Sequence, residues 1–199
     1  MWHRYLAEQG YIVVSVDNRG TGARGRDFEK QVYKKLGQYE VKDHIDAAKY
    51  LIDRYDFIDE ERIGIWGWSY GGYMSSLVLA KGGDVFNTAI AVAPVTSWRF
   101  YDTIYTERFM QTPSENPEGY KKGAPLTYAN QMSGNYLLIH GTSDDNVHFQ
   151  NSVAMINQLV ASNFQFQTMY YPDRNHGIYG GNTRKHLYSM MNRYILNNL

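Results

Sequence analysis

The 199-residue chain contains no cysteine, which excludes disulfide staples, a thiol nucleophile and thiolate zinc sites. It carries no net charge, because twenty basic residues cancel twenty acidic ones. The basic excess that neutralises nucleic-acid phosphates or docks on anionic lipid is therefore missing, and nucleic acid is not expected as a partner. No run of about 18 apolar residues marks a membrane span, and the opening Met1-Trp2-His3-Arg4-Tyr5 lacks the charged, apolar and small-residue succession of a signal peptide. Internal repeats and low-complexity tracts are absent.

What remains is a composition of 43% hydrophobic and 20% charged residues, the profile of one globular domain with a sizeable core. A short amphipathic segment, Trp2 to Gln9, leads through Gly10 into an apolar, β-branched stretch at Tyr11–Asp17 that reads as a strand. After a Gly/Arg-rich loop, Val41, Ile45, Ala48, Leu51 and Ile52 recur at helical spacing, and a strand is predicted at Ile63–Trp66. A helix at Gly72–Ala80, strands at Thr88–Ala93 and Tyr136–His140, a helix at Gln150–Asn163, a strand at Gln165–Tyr171 and a helix at Thr183–Asn198 continue the rhythm. Such alternation predicts an α/β fold with a mainly parallel sheet and helices on both faces. Residues 94–132 interrupt it with aromatics and several prolines, the pattern of a cap or binding segment.

The strand at Ile63–Trp66 runs directly into Gly67-Trp68-Ser69-Tyr70-Gly71-Gly72 and a helix. This is a G-x-S-x-G nucleophile elbow in its strand-turn-helix setting. A serine on so tight a turn adopts a strained backbone, expected to require glycine two residues to either side. The helix N-terminus behind it places free N–H groups and partial positive charge where an oxyanion would form.

A serine hydroxyl needs a base, and the base an orienting carboxylate. Both are available in the order Ser, Asp, His on loops following successive strands: Gly141-Thr142-Ser143-Asp144-Asp145-Asn146, then Pro172-Asp173-Arg174-Asn175-His176-Gly177. Those loops share the C-terminal sheet edge with the elbow. Among six histidines only His176 stands late on such a loop; His140 falls at a strand end, and His148 follows the aspartates with no strand between. Adjacent carboxylates point in different directions, and either Asp144 or Asp145 could reach the imidazole.

Two other patterns fail on context. Gly20-Thr21-Gly22-Ala23-Arg24-Gly25 matches G-x-G-x-x-G, but its glycines do not open a helix and Glu40 starts a helix instead of ending a strand. His140, Asp144, Asp145, His148 and His176 lack zinc spacing. Neither metal nor cofactor is expected.

The elbow, extended to Tyr73, together with Ile139-His140-Gly141-Thr142-Ser143-Asp144-Asp145-Asn146-Val147-His148-Phe149-Gln150, resembles the dipeptidyl peptidase IV family of the prolyl oligopeptidase clan. So do Ala93-Pro94-Val95, Trp98, Tyr101 and Tyr105-Thr106-Glu107-Arg108-Phe109-Met110, in a likeness running from Asp17-Asn18-Arg19-Gly20 to His176-Gly177. The resemblance implies an α/β-hydrolase fold and a serine exopeptidase that releases N-terminal dipeptides with proline, or less well alanine, in second position. Its triad would be Ser69, Asp144 and His176, with the Tyr70 backbone N–H as oxyanion donor. A proline pocket lined by Tyr70, Val95, Trp98, Tyr101, Tyr105 and Val147 is implied, with Asn146 contacting the substrate backbone; flat aromatic walls suit a ring that offers no hydrogen bond.

Against the family pattern, the β-propeller and the first strands of the hydrolase domain, with their second oxyanion donor, are missing, so an N-terminally incomplete domain over residues 1–199 is expected. The family likeness further implies a periplasmic, secreted or membrane-anchored parent and a homodimer to which the last helix contributes. An esterase or acylaminoacyl peptidase, or a non-catalytic fragment acting in dimerisation, are the alternative readings.

Overall fold

The structure is a computed structural model and describes residues 1–199. Its helices are α1 (Trp2–Glu8), α2 (Arg26–Glu29), α3 (Tyr39–Arg54), α4 (Tyr70–Lys81), α5 (Thr103–Met110), α6 (Pro117–Lys122), α7 (Gln150–Ala161) and α8 (Thr183–Asn198). Its strands β1 (Gly64–Trp68), β2 (Thr88–Val92), β3 (Asn135–Gly141) and β4 (Gln167–Tyr171) pair in parallel in the order β1-β2-β3-β4. Parallel neighbours require crossovers long enough to hold a helix. α4 joins β1 to β2, and α7 joins β3 to β4.

Side chains alternate across the sheet, and both of its faces are covered. Ala89, Ala91, Tyr136 and Leu138 meet Leu79 of α4 and Met155 and Leu159 of α7. From the same two strands, Ile90, Val92, Leu137 and Ile139 turn the other way, onto Leu6 of α1 and Leu187, Met191 and Ile195 of α8. This double burial explains why β2 and β3 read as near-continuous apolar runs instead of alternating ones. The expected α/β-hydrolase architecture is therefore present in these four strands and their helices.

Residues 94–132 form a compact layer, not a loose cap. Two 3-10 turns, Trp98–Phe100 and Pro125–Gln131, flank α5 and α6. Trp98, Met110 and Tyr120 are buried in one cluster with Tyr73 and Leu77 of α4.

One expected strand is absent. Residues Tyr11–Asp17 form no ladder: β1 pairs only with β2, and no backbone N–H or C=O of residues 12–17 is hydrogen-bonded within the chain. The segment's β propensity is real, but a strand exists only through its partner. Here Tyr11 and Val13 pack toward α8 while Ile12 and Val14 are 59% and 51% exposed.

Candidate active site

Ser69 sits between β1 and α4 with φ 60° and ψ −115°, left-handed backbone that a side-chain-bearing residue adopts only under local constraint. Its N–H donates to the Val92 carbonyl at 2.8 Å and its own carbonyl accepts from Tyr73 N–H at 2.9 Å, fixing the turn between sheet and helix. A Cβ on Gly67 would collide with the Gly71 backbone, and one on Gly72 would lie 2.7 Å from the Val92 carbonyl oxygen. Gly71 itself has open space where a Cβ would go. The glycines that the turn needs are thus Gly67 and Gly72, which corrects the expectation of strict need on both sides at Gly67 and Gly71. Tyr70 is the first residue of α4, whose leading N–H groups have no intrahelical partner.

Asp144 lies on the loop after β3. Its Oδ1 accepts the backbone N–H of Asn146 at 3.0 Å and of Val147 at 2.9 Å. Its Oδ2 lies 2.7 Å from His176 Nδ1 and 3.1 Å from His140 Nε2. Burial alone would push this carboxyl up, but the hydrogen bonds from the two imidazoles and the backbone outweigh it and hold the group well below the usual carboxylate range. Asp145, the neighbour that spacing could not separate from it, lies instead on the wall of an open cleft. His176 follows β4 and is partly exposed. Its loop is tied to the elbow by Trp68, whose indole N–H donates to the His176 carbonyl at 2.9 Å. Ser69, Asp144 and His176 thus stand beyond the C-terminal ends of β1, β3 and β4; Asp144 and His176 are hydrogen-bonded to each other, and Ser69 and His176 are not.

The residues assigned to a proline pocket also come together. Val95, Trp98 and Val147 are buried, and Tyr70, Tyr101 and Tyr105 pack against them at partial exposure. Trp98 stacks on Tyr105 with ring centroids 5.8 Å apart and meets Tyr70 at 5.8 Å and Tyr101 at 6.0 Å. Asp102 caps α5 by accepting Tyr105 N–H at 2.8 Å. Burial raises the Tyr105 phenol to about 12. Tyr101 donates its hydroxyl to Asn146 Oδ1 at 2.8 Å, which links the aromatic wall to the Asp144 loop. The cleft beside His176, about 690 Å³, is lined by Tyr101 and Asn146 and, beyond the sequence expectation, by Arg99, Asp102, Asp145 and His148.

Three contributors were missed from sequence. Trp68 reads there as one more aromatic in the elbow. Glu40 reads as the polar start of a helix, yet it is 2% exposed and its Oε1 accepts the Tyr70 hydroxyl at 2.7 Å. Burial raises its carboxyl, and the bond from Tyr70 offsets that in part. His140, dismissed as a strand end, is fully buried against Asp144. The histidine inside the apolar run of β3 is the clearest local signal among them, and Trp68 gives none.

In the Gly-Arg loop, against the expectation that its glycines open no helix, Gly25 caps α2, a helix of only four residues; Arg19 is held by Asp43 at 2.5 Å.

A family model described as the prolyl oligopeptidase family matches residues 2–199. The chain belongs to the prolyl oligopeptidase family. Among its relatives in that family, the prolyl endopeptidase FAP of Mus musculus is 50% identical over 198 residues, covering 98% of this chain and 26% of the mouse protein. Dipeptidyl peptidase 4 of Felis catus is 46% identical over the same span. The crystal structure of Porphyromonas gingivalis dipeptidyl peptidase 4 superposes with a TM-score of 0.97 at 50% identity, covering 100% of this chain and 28% of that one. The chain thus spans about a quarter of the length of the prolyl oligopeptidase family members it matches.

Proposed function

We propose that this chain carries the catalytic centre of a serine exopeptidase that removes dipeptides from peptide N-termini, with proline or alanine in the second position. The observation that carries the reading is the strained Ser69 at a helix N-terminus, on the same sheet edge as a buried Asp144 hydrogen-bonded to His176. In this reading Ser69 Oγ attacks the scissile carbonyl while His176 takes its proton and later delivers it to the leaving amine. Asp144 holds the proton of His176 on Nδ1, leaving Nε2 free to accept. The Tyr70 backbone N–H stabilises the oxyanion, and collapse of the tetrahedral adduct leaves an acyl-enzyme that water hydrolyses.

Preference for proline follows from the wall formed by Tyr70, Trp98, Tyr101 and Tyr105 with Val95 and Val147. It buries a rigid ring without asking it for a hydrogen bond. Asn146, anchored by Tyr101, would meet the substrate backbone. The names of the relatives, dipeptidyl peptidase 4 and prolyl endopeptidase, support both parts of this specificity.

The reading includes a larger sheet, with a further strand seated between residues 12–17 and β1. It also includes a homodimer in which α8 takes part: Leu187, Met191 and Ile195 face the core, and Leu196 remains 48% exposed. No helix is long and apolar enough to cross a membrane.

The test compares Gly-Pro and N-acyl-Gly-Pro chromogenic substrates, using protein expressed from its complete reading frame. Turnover of the free-amine substrate alone supports dipeptide release. Equal or better turnover of the blocked one would replace that reading with an endopeptidase or acyl-peptide hydrolase.

A further inference from the structure

The carboxylate of the Asp-His pair has a partner that the proposed mechanism does not use. His140, the penultimate residue of β3, has no exposed surface, and each of its ring nitrogens is engaged. Nε2 lies 2.8 Å from the Val147 carbonyl oxygen and 3.1 Å from Asp144 Oδ2. Nδ1 lies 2.7 Å from the hydroxyl of Ser152 on α7, itself fully buried. A carbonyl oxygen can only accept, and so can an ionised carboxylate. The imidazole hydrogen therefore belongs on Nε2, shared between the two oxygens, and Ser152 donates to the lone pair on Nδ1.

Resting on the serine-peptidase reading, we propose that His140 is a positioning residue of the reaction, a second imidazole that shares the charge of Asp144 and fixes the loop carrying it. Asp144 Oδ2 serves both imidazoles, so the His140 bond drains negative charge that would otherwise act on His176 alone. The same ring holds the Val147 carbonyl, so it fixes the Asp144 loop at two points. That loop also supplies Val147 to the aromatic cluster and Asn146 to Tyr101. One buried ring thus sets the base and the pocket wall together.

The consequence is readable in the pH profile. Without His140, Asp144 holds the His176 imidazolium more tightly, and the acid limb of kcat/KM moves to higher pH. Arg99, Asp102, Asp145 and His148 line the cleft beside His176, and Tyr101 faces Asp144. They are unchanged in the variants, so a difference between proteins isolates His140.

The experiment uses protein from the complete reading frame. His140→Leu should move the acid limb up by about 0.5–1 pH unit and lower kcat/KM about 10-fold. His140→Gln, which keeps a donor, should recover part of both. Ser152→Ala, which leaves His140 in place but weakens its polarisation, should shift the limb in the same direction by less. A limb that stays in place while kcat/KM falls would make the role of His140 purely structural and overturn the proposal.

Nitrogen-15 spectra of histidine-labelled wild type test it without activity. A hydrogen on Nε2 and a bare Nδ1 are expected, and the opposite tautomer overturns it even if every variant fails to fold. A wild type with the expected tautomer but no turnover would instead contradict the peptidase reading.

Discussion

Trp68 and His176 are 108 residues apart in sequence, yet the indole N–H of one donates to the backbone carbonyl of the other at 2.9 Å. The residue before the elbow serine thereby holds the loop that carries His176, the base of the proposed reading. Ser69 and His176 are not themselves hydrogen-bonded, so this tie, with the bond from Asp144 to His176, links the two loops. Trp68→Phe retains the ring and loses the donor. A loss of roughly 3- to 10-fold in kcat is expected, with KM unchanged. Steady-state kinetics on a Gly-Pro substrate checks it, and a rise in KM alone would place Trp68 in substrate binding.

Gly67 and Gly71 occupy formally equivalent places around Ser69 but not equivalent space. Gly67→Ala drives a methyl into the Gly71 backbone, whereas Gly71→Ala puts one into open space. The first change should cost about 3 kcal/mol or more, at the upper end of overpacking. The second should cost well under half of that. Chemical denaturation of both variants measures the asymmetry, and equal losses would contradict the local geometry.

Glu40 and Asp144 make opposite predictions for stability against pH. Burial raises the Glu40 carboxyl, so the folded state binds that proton more tightly than the unfolded chain does. Stability is lost as pH rises from the ordinary glutamate value of about 4.3 through the folded one, and the loss is constant above that. Glu40→Gln keeps an acceptor for Tyr70 without the charge. It should melt above wild type at pH 8 and no higher at pH 4, gaining about 2–4 °C for each kcal/mol recovered. Asp144 is held low, so its contribution is complete above the unfolded aspartate value of about 3.9 and is lost as pH falls through the folded one. Asp144→Asn should therefore destabilise at neutral pH, by a margin that shrinks in strong acid. Melting curves at pH 8 and pH 4 decide the first case, and curves at neutral pH and in strong acid decide the second.

Tyr105 stacks on Trp98 in the aromatic wall. Truncation to alanine should cut kcat/KM for a Gly-Pro substrate by about 10- to 100-fold and for a Gly-Ala substrate by less, because the lost contacts are those with the ring. Equal losses on both substrates would remove Tyr105 from the pocket.

What the sequence disclosed, and what it hid, divides along the range of the interactions. The elbow was legible because its constraint is local: a strand, a strained serine, a glycine that admits no Cβ, a helix. β2 and β3 were legible because burial on both faces leaves an unbroken apolar run. Tyr11–Asp17 was misread because propensity belongs to the segment while pairing belongs to a neighbour. The choice between Asp144 and Asp145 could not be made from spacing, since only the fold turns one inward to two imidazoles and the other to the cleft. Glu40, Trp68 and His140 were missed for the same reason. Each acts through a partner 30, 108 or 4 residues away, and even the four-residue case depends on how the loop after β3 folds back.

The unpaired stretch 12–17 carries an expectation of its own. Ile12 and Val14 are exposed, the backbone of residues 12–17 makes no hydrogen bond within the chain, and β1 pairs on one side only. In the proposed reading a further strand seated beside β1 brings a second oxyanion donor, so the 199 residues alone should turn over Gly-Pro substrates poorly, because one donor of that kind typically contributes about 100- to 1000-fold. A longer protein that seats a strand in that place should be far more active. Matched assays of the two check this, and equal rates would show that the four-stranded sheet is sufficient.

The central claim is that Ser69, activated by His176 and Asp144, is the nucleophile. It is tested most directly by fluorophosphonate labelling of protein from the complete reading frame, followed by peptide mapping. The label is predicted on the peptide containing Ser69, absent in Ser69→Ala and strongly slowed in His176→Ala. Labelling that persists undiminished in Ser69→Ala would contradict the account.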